Sequence, residues 1–137
     1  MTSYSLEIPG APVPKARPRA SRRGSHVVMY TPSKSKDFEY QVRMIASQLI
    51  PAPLQGAVCI DIELQLPRPK RLCWKTRAMP QCFCDVRPDI DNYCKSILDG
   101  LNGIAFRDDA QVAELYAKKF YHAGGEYPKT NILIRSL

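Results

Sequence analysis

The chain contains no apolar stretch approaching the roughly 20 residues that a membrane-spanning helix needs. Residues 1–14 lack the basic start and apolar run of a secretion signal. The expectation is a soluble protein of the cytoplasm. There is no repeat at a fixed period and no low-complexity block, which argues against solenoid and tail-like architectures. Histidine is scarce: His26 and His122 both lie away from Cys82-x-Cys84, whose spacing is too tight for a paired-cysteine zinc site. No legible Cys-His arrangement would activate a cysteine nucleophile. The five cysteines are odd in number and come without a secretion signal, which fits reduced thiols rather than a disulfide framework. Tryptophan occurs once, at Trp74, among basic residues, where it could stack on an exposed base or anchor its loop.

Acidic residues are missing from two stretches. Residues 1–36 hold seven Lys/Arg against Glu7 alone, and residues 68–88 hold six against Asp85 alone, within a chain of net charge +7. Basic charge segregated in this way suggests a polyanion bound through phosphate contacts and counterion release, although basic loops also serve solubility. The candidate phosphate contacts are Lys15, Arg17, Arg19, Arg22, Arg23, Arg68, Lys70, Arg71 and Lys75, with the first three the leading choice. At 137 residues, with 45% hydrophobic and 24% charged residues, the chain has the size and composition of one globular domain.

Alternation over Tyr4–Ile8 predicts a strand ending at Pro9-Gly10. Prolines 12, 14 and 18 predict an extended basic loop over 10–24, since proline fixes the backbone and removes a donor. His26–Tyr30 reads as a short strand. A helix follows from Ser33 or Ser35, with Asp37 and Glu39 in its first turn and a stripe of Phe38, Val42, Ile45 and Leu49, ended by Pro51 and Pro53. The clearest strand lies within Gln55–Pro67: Val58, Ile60, Ile62, Leu64 and Leu66 face inward, and Cys59, Asp61, Glu63 and Gln65 face solvent or a dimer partner. A long basic connection spans 68–87. Ala110–His122 reads as a strand bulged near Leu115-Tyr116, paired with a last strand at Thr130–Arg135. This order predicts a single α+β domain, a mixed sheet with two main helices packed against it.

The acids gather instead in residues 88–109, which contain Asp89, Asp91, Asp99, Asp108 and Asp109. Ile90, Cys94, Ile97, Leu98 and Leu101 recur at helical spacing, and Asn102-Gly103 suits a helix C-terminus. Asp89 and Asp91 then stand at the helix start, and an apolar return through Ile104–Phe106 can bring Asp108-Asp109 back towards them. Two readings fit. Crowded carboxylates beside a lysine, Lys95, suit a divalent cation and a phosphate. Equally, Asp89 caps the helix, Asp91 favours its dipole, and Lys95 and Asp99 form a surface pair.

Pro88-Asp-x-Asp-Asn-x-x-Lys-x-x-x-Asp99, followed by Asp108-Asp-Ala-Gln-Val112, resembles the RusA family of Holliday-junction resolvases, common in phages and prophages. Pro14-Lys-Ala-Arg-Pro-Arg19 is similar to the start of many phage-type members. Carried over, the resemblance implies metal-binding catalytic carboxylates at Asp89, Asp91 and Asp109, with Asp99 and Asp108 lesser candidates, and a catalytic lysine at Lys95. It further implies Mg2+ or Mn2+, a homodimer, and hydrolysis of four-way DNA junctions. A broader branched-DNA or flap endonuclease and a non-catalytic DNA-binding module are the alternatives.

Overall fold

The computed structural model describes residues 2–17, 19–30 and 33–137, leaving the side chains of Arg19 and Tyr30 outside the description. Among the described residues, seven strands and two α-helices follow in the order β1 (Ser3–Pro9), β2 (Arg19–Arg23), β3 (His26–Tyr30), α1 (Ser33–Leu49), β4 (Val58–Leu66), β5 (Cys82–Phe83), α2 (Ile90–Leu101), β6 (Val112–Tyr121) and β7 (Lys129–Ser136). The main sheet runs β1-β7-β4-β6-β5, and β2 pairs with β3 in a separate ribbon. β4 and β6 are parallel, joined by a crossover that carries α2, as parallel neighbours require. The other pairings are antiparallel. This is an α+β domain built on a mixed sheet with two helices.

Strand alternation explains the core. Val58, Ile60, Ile62, Leu64 and Leu66 of β4 face Phe38, Val42 and Ala46 of α1, Ile97 and Leu101 of α2, and Leu6, Ile8, Ile132 and Ile134 of the outer strands, all buried. The helices cross closely at Gly100, where an added Cβ would stand 2.9 Å from Val42 and 3.0 Å from the Glu39 carbonyl. That crossing brings Glu39 of α1 beside the last turns of α2.

Several sequence expectations change. The loop expected over 10–24 holds β2, which pairs residue for residue with β3 across Gly24-Ser25. Glycine first in a two-residue hairpin turn, here with φ 62°, outweighs the prolines upstream. The last strand pairs with β1 and β4 rather than with β6. Cys59 and Gln65 are buried on the second face of β4, which makes β4 central and separates β6 from β7. The β6 irregularity falls where Val58 faces Val112 and Cys59 faces Glu114, so Ala113 is the extra residue rather than Leu115 or Tyr116. In α1 the start at Ser33 leaves Asp37 and Glu39 beyond the first turn. Ala46 is buried, and Leu49 stays half exposed.

Candidate active site

Asp89 occupies the N-cap position of α2 in an extended conformation, yet its carboxylate makes no capping hydrogen bond. Asp91 lies in the first turn, its Oδ1 accepting the Asn92 amide at 3.0 Å. Both are exposed, and both anions gain from the positive end of the helix. One turn beyond Asp91, Lys95 Nζ lies 3.0 Å from Asp99 Oδ1 and 3.8 Å from Asp109 Oδ2. The return from the helix therefore brings Asp109 to the tip of Lys95, on the flank of α2 that carries Asp91. Asp91, Lys95, Ile90, Cys94, Leu98, Leu115 and Ala117 line one open groove between α2 and β6.

Asp109 reaches this place through a short 3-10 turn, Asp109–Gln111, capped by Asp108. Asp108 accepts the Ala110 amide at 3.4 Å, while Gln111 Oε1 accepts the amides of Arg107 and Asp108 at 2.8 and 3.3 Å. Gln111 Nε2 donates to the carbonyls of Leu54 and Gly56 at 2.9 and 2.8 Å, fixing the turn to the segment before β4. The Asp108 carboxylate is thus engaged in capping, and Asp109 is the acid presented to Lys95. Sequence reasoning missed Gln111, although a Gln three residues after Asp108 is a capping-box signature that could have found it.

Behind Lys95 lies a chain of ion pairs. Lys15 Nζ stands 2.6 Å from Glu39 Oε1 and 3.0 Å from Asp99 Oδ2, so the order is Glu39–Lys15–Asp99–Lys95–Asp109. The N-terminal segment is fixed along α2: the Lys15 amide donates to the Asn92 carbonyl at 2.8 Å, and the Ser96 hydroxyl donates to the Val13 carbonyl at 2.7 Å. Burial would raise the Asp99 pKa, but hydrogen bonds from Lys15 and Lys95 hold it below the ordinary carboxylate value. Lys95 is raised, chiefly by its hydrogen bond to Asp99. For Lys15 burial lowers the pKa, and the bonds to Glu39 and Asp99 outweigh it, leaving it raised. Glu39 and Ser96 carried no sequence signal of this role.

Lys15, expected among the phosphate contacts, is therefore engaged with two carboxylates of its own chain. Arg17 is exposed, as are Arg22 and Arg23 on β2 and Lys70, Arg71 and Lys75 in the long connection. The side chain of Arg19 lies outside the described residues. Arg68 is also engaged: it donates to the carbonyls of Leu72, Pro80 and His122 at 2.6, 2.8 and 3.2 Å. Arg68 and Arg77 lie over the Trp74 ring, 5.3 and 3.9 Å from its centroid, so Trp74 anchors the connection. Lys119 Nζ donates to the carbonyls of Val86 and Pro88 at 2.6 and 2.9 Å, holding the backbone that delivers Asp89.

Among the described residues, no three His, Cys, Asp or Glu side chains come close enough to hold a metal ion together. The donor chemistry nonetheless suits Mg2+, which takes carboxylate oxygens and usually one or two protein carboxylates, with water and substrate phosphate completing its shell. No helix among the described residues is long and apolar enough to cross a membrane.

Residues 9–135 match the family model for endodeoxyribonuclease RusA. The chain is 34% identical over 143 aligned positions to "Uncharacterized protein YqaN" of Bacillus subtilis (strain 168), an alignment covering all of this chain and 99% of that protein. With nearly its whole length matched, the chain belongs to the RusA endodeoxyribonuclease family.

Proposed function

We propose that this protein is a metal-dependent endonuclease that resolves four-way DNA junctions by paired, symmetric phosphodiester hydrolysis. The observation that carries the reading is Lys95, bound to Asp99, one turn after Asp91 and 3.8 Å from Asp109. A cation and carboxylates gathered beside an open groove, on a basic chain, suit a phosphate whose charge rises during attack. Asp89, Asp91 and Asp109 are the carboxylates that would supply Mg2+ or Mn2+ with one or two protein ligands, water and substrate phosphate completing the shell. When bound, the ion supplies Lewis acidity at the phosphate and a more acidic water.

The protein's own contribution is placement. Asp99 restrains the Lys95 side chain, so the ammonium is already directed at the Asp109 side of the groove when a phosphodiester arrives. Its raised pKa keeps it charged at neutral pH, so it stabilises negative charge on the non-bridging oxygens. Gln111 ties the turn that carries Asp109 to the segment before β4. Arg17, Arg22 and Arg23, with Lys70, Arg71 and Lys75, would contact the DNA backbone. A junction has approximate two-fold symmetry and needs two matched nicks, which suits a homodimer with two such sites.

The test is Asp91→Asn on a synthetic junction with Mg2+. Lost cleavage with junction binding retained or tightened supports the reading, because the change removes a ligand and a repulsive charge together. A variant that cleaves at the wild-type rate contradicts it. A wild type that binds junctions without cutting them would instead be a DNA-binding module.

A further inference from the structure

The β2–β3 ribbon forms a two-stranded sheet of its own, apart from the main sheet. Val27, Val28 and Met29 are 67, 43 and 62% exposed. In the ribbon register Arg22 faces Val27 and Ala20 faces Met29, so these four share one face. Val28, opposite Ser21, lies on the other face with Arg23 and His26. Apolar side chains are thus open to solvent on both faces. A lone two-stranded hairpin is marginally stable in water, so such a ribbon gains most from a surface that covers it.

Charge identifies that surface. No Asp or Glu occurs between Glu7 and Asp37, whereas the ribbon carries Arg19, Arg22 and Arg23. Two ribbons meeting across a two-fold axis would bring arginines together, which disfavours a second copy of this chain as the cover. DNA supplies what the ribbon lacks. Phosphates match the arginines, a major groove admits a two-stranded ribbon, and base faces exposed at an unstacked step accept apolar side chains.

We infer that the ribbon enters the branch point of the DNA substrate, with Val27 and Met29 wedged against unstacked bases while Arg22 and Arg23 hold the flanking phosphates. The inference rests on the proposed junction specificity and adds the element that recognises the branch. Lys15 ties the segment leading into the ribbon to Asp99, so ribbon and active site are connected through a single stretch of chain.

The experiment uses a four-way junction with 2-aminopurine beside the branch point, in EDTA so that no strand is cut. Wild-type protein should raise the emission. Val27→Ser/Met29→Ser should lose most of that rise and about tenfold in junction affinity, with linear-duplex affinity kept within about twofold. Val27→Thr/Met29→Gln, which better preserves strand structure, should behave alike. Arg22→Ala/Arg23→Ala should weaken binding to both substrates and reduce the salt slope by about two. A full emission rise in both apolar variants overturns the inference. Equal loss on junction and duplex also overturns it, as does a changed molecular mass by light scattering, which would make the ribbon a contact between copies. A wild type that cuts junctions without raising the emission contradicts the ribbon alone. A wild type that neither prefers nor cuts junctions contradicts the function itself.

Discussion

Lys15 Nζ lies 3.0 Å from Asp99 Oδ2, and this ion pair joins the N-terminal segment to the helix that carries Asp91 and Lys95. Asp99 thus bonds two lysines, one from each segment, and cannot attract Lys95 as strongly as an isolated carboxylate would. Lys95 Nζ also stands 3.8 Å from Asp109 Oδ2. Without Lys15, the half-buried Glu39 carboxylate would lose its ion-pair partner and Asp99 would keep Lys95 alone. Lys15→Met should cost about 1–3 kcal/mol, between the limits for exposed and buried pairs, and should lower kcat more than junction affinity. Chemical denaturation and single-turnover cleavage check this. A loss confined to affinity would return Lys15 to the phosphate contacts.

The same pair sets a pH dependence. Asp99 titrates below its ordinary value in the folded protein, so its contribution is present above about pH 3.9. That contribution disappears as pH falls through the depressed value. Lys15 titrates above its ordinary value, so its contribution is complete below about pH 10.4 and is lost as pH rises through the raised value. The Tm difference between wild type and Asp99→Asn should be flat across the neutral range and shrink below about pH 3.9. A difference that grows on acidification contradicts the pairing.

Arg68 is the basic residue of the long connection whose loss should act through structure. Its three carbonyl contacts and its position over Trp74 hold residues 68–81 against the turn that follows β6. Arg68→Ala should shift Trp74 emission to longer wavelength and open the connection to limited proteolysis. Lys75→Ala should leave both unchanged and weaken DNA binding slightly. An Arg68→Ala protein with native fluorescence but reduced DNA affinity would make Arg68 a phosphate contact.

The acids divide by what holds them. Asp89→Asn, Asp91→Asn and Asp109→Asn should each abolish Mg2+-supported cleavage while junction binding persists or tightens. Asp108→Asn keeps a capping side chain for the 3-10 turn and should retain most activity, whereas Asp108→Ala should cost about 1 kcal/mol of stability. Cleavage by Asp109→Asn at the wild-type rate would move the catalytic acid to Asp108.

The helix bearing Asp89 and Asp91 was legible because its apolar positions recur at helical spacing and because Asn102-Gly103 marks its end. β4 was legible from strict alternation. Its central position was not, since burial of Cys59 and Gln65 depends on which strands flank it. The ribbon was masked by prolines 12, 14 and 18, although Gly24-Ser25 is a hairpin turn signal. The Lys95–Asp99 pair was legible from its four-residue spacing, but the rest of the electrostatic chain was not: Lys15, read as a phosphate contact, Glu39 and Asp99 lie far apart in sequence and meet only where the helices cross at Gly100.

The central claim is that the acids around Lys95 cut branched DNA, and a cleavage assay on a synthetic four-way junction tests it most directly. Linear duplex and flap controls, each with Mg2+ and with EDTA, complete the comparison. The account predicts paired symmetric nicks, only with the metal and mainly on the junction. Equal cutting of all three substrates, or cutting that persists in EDTA, would contradict it.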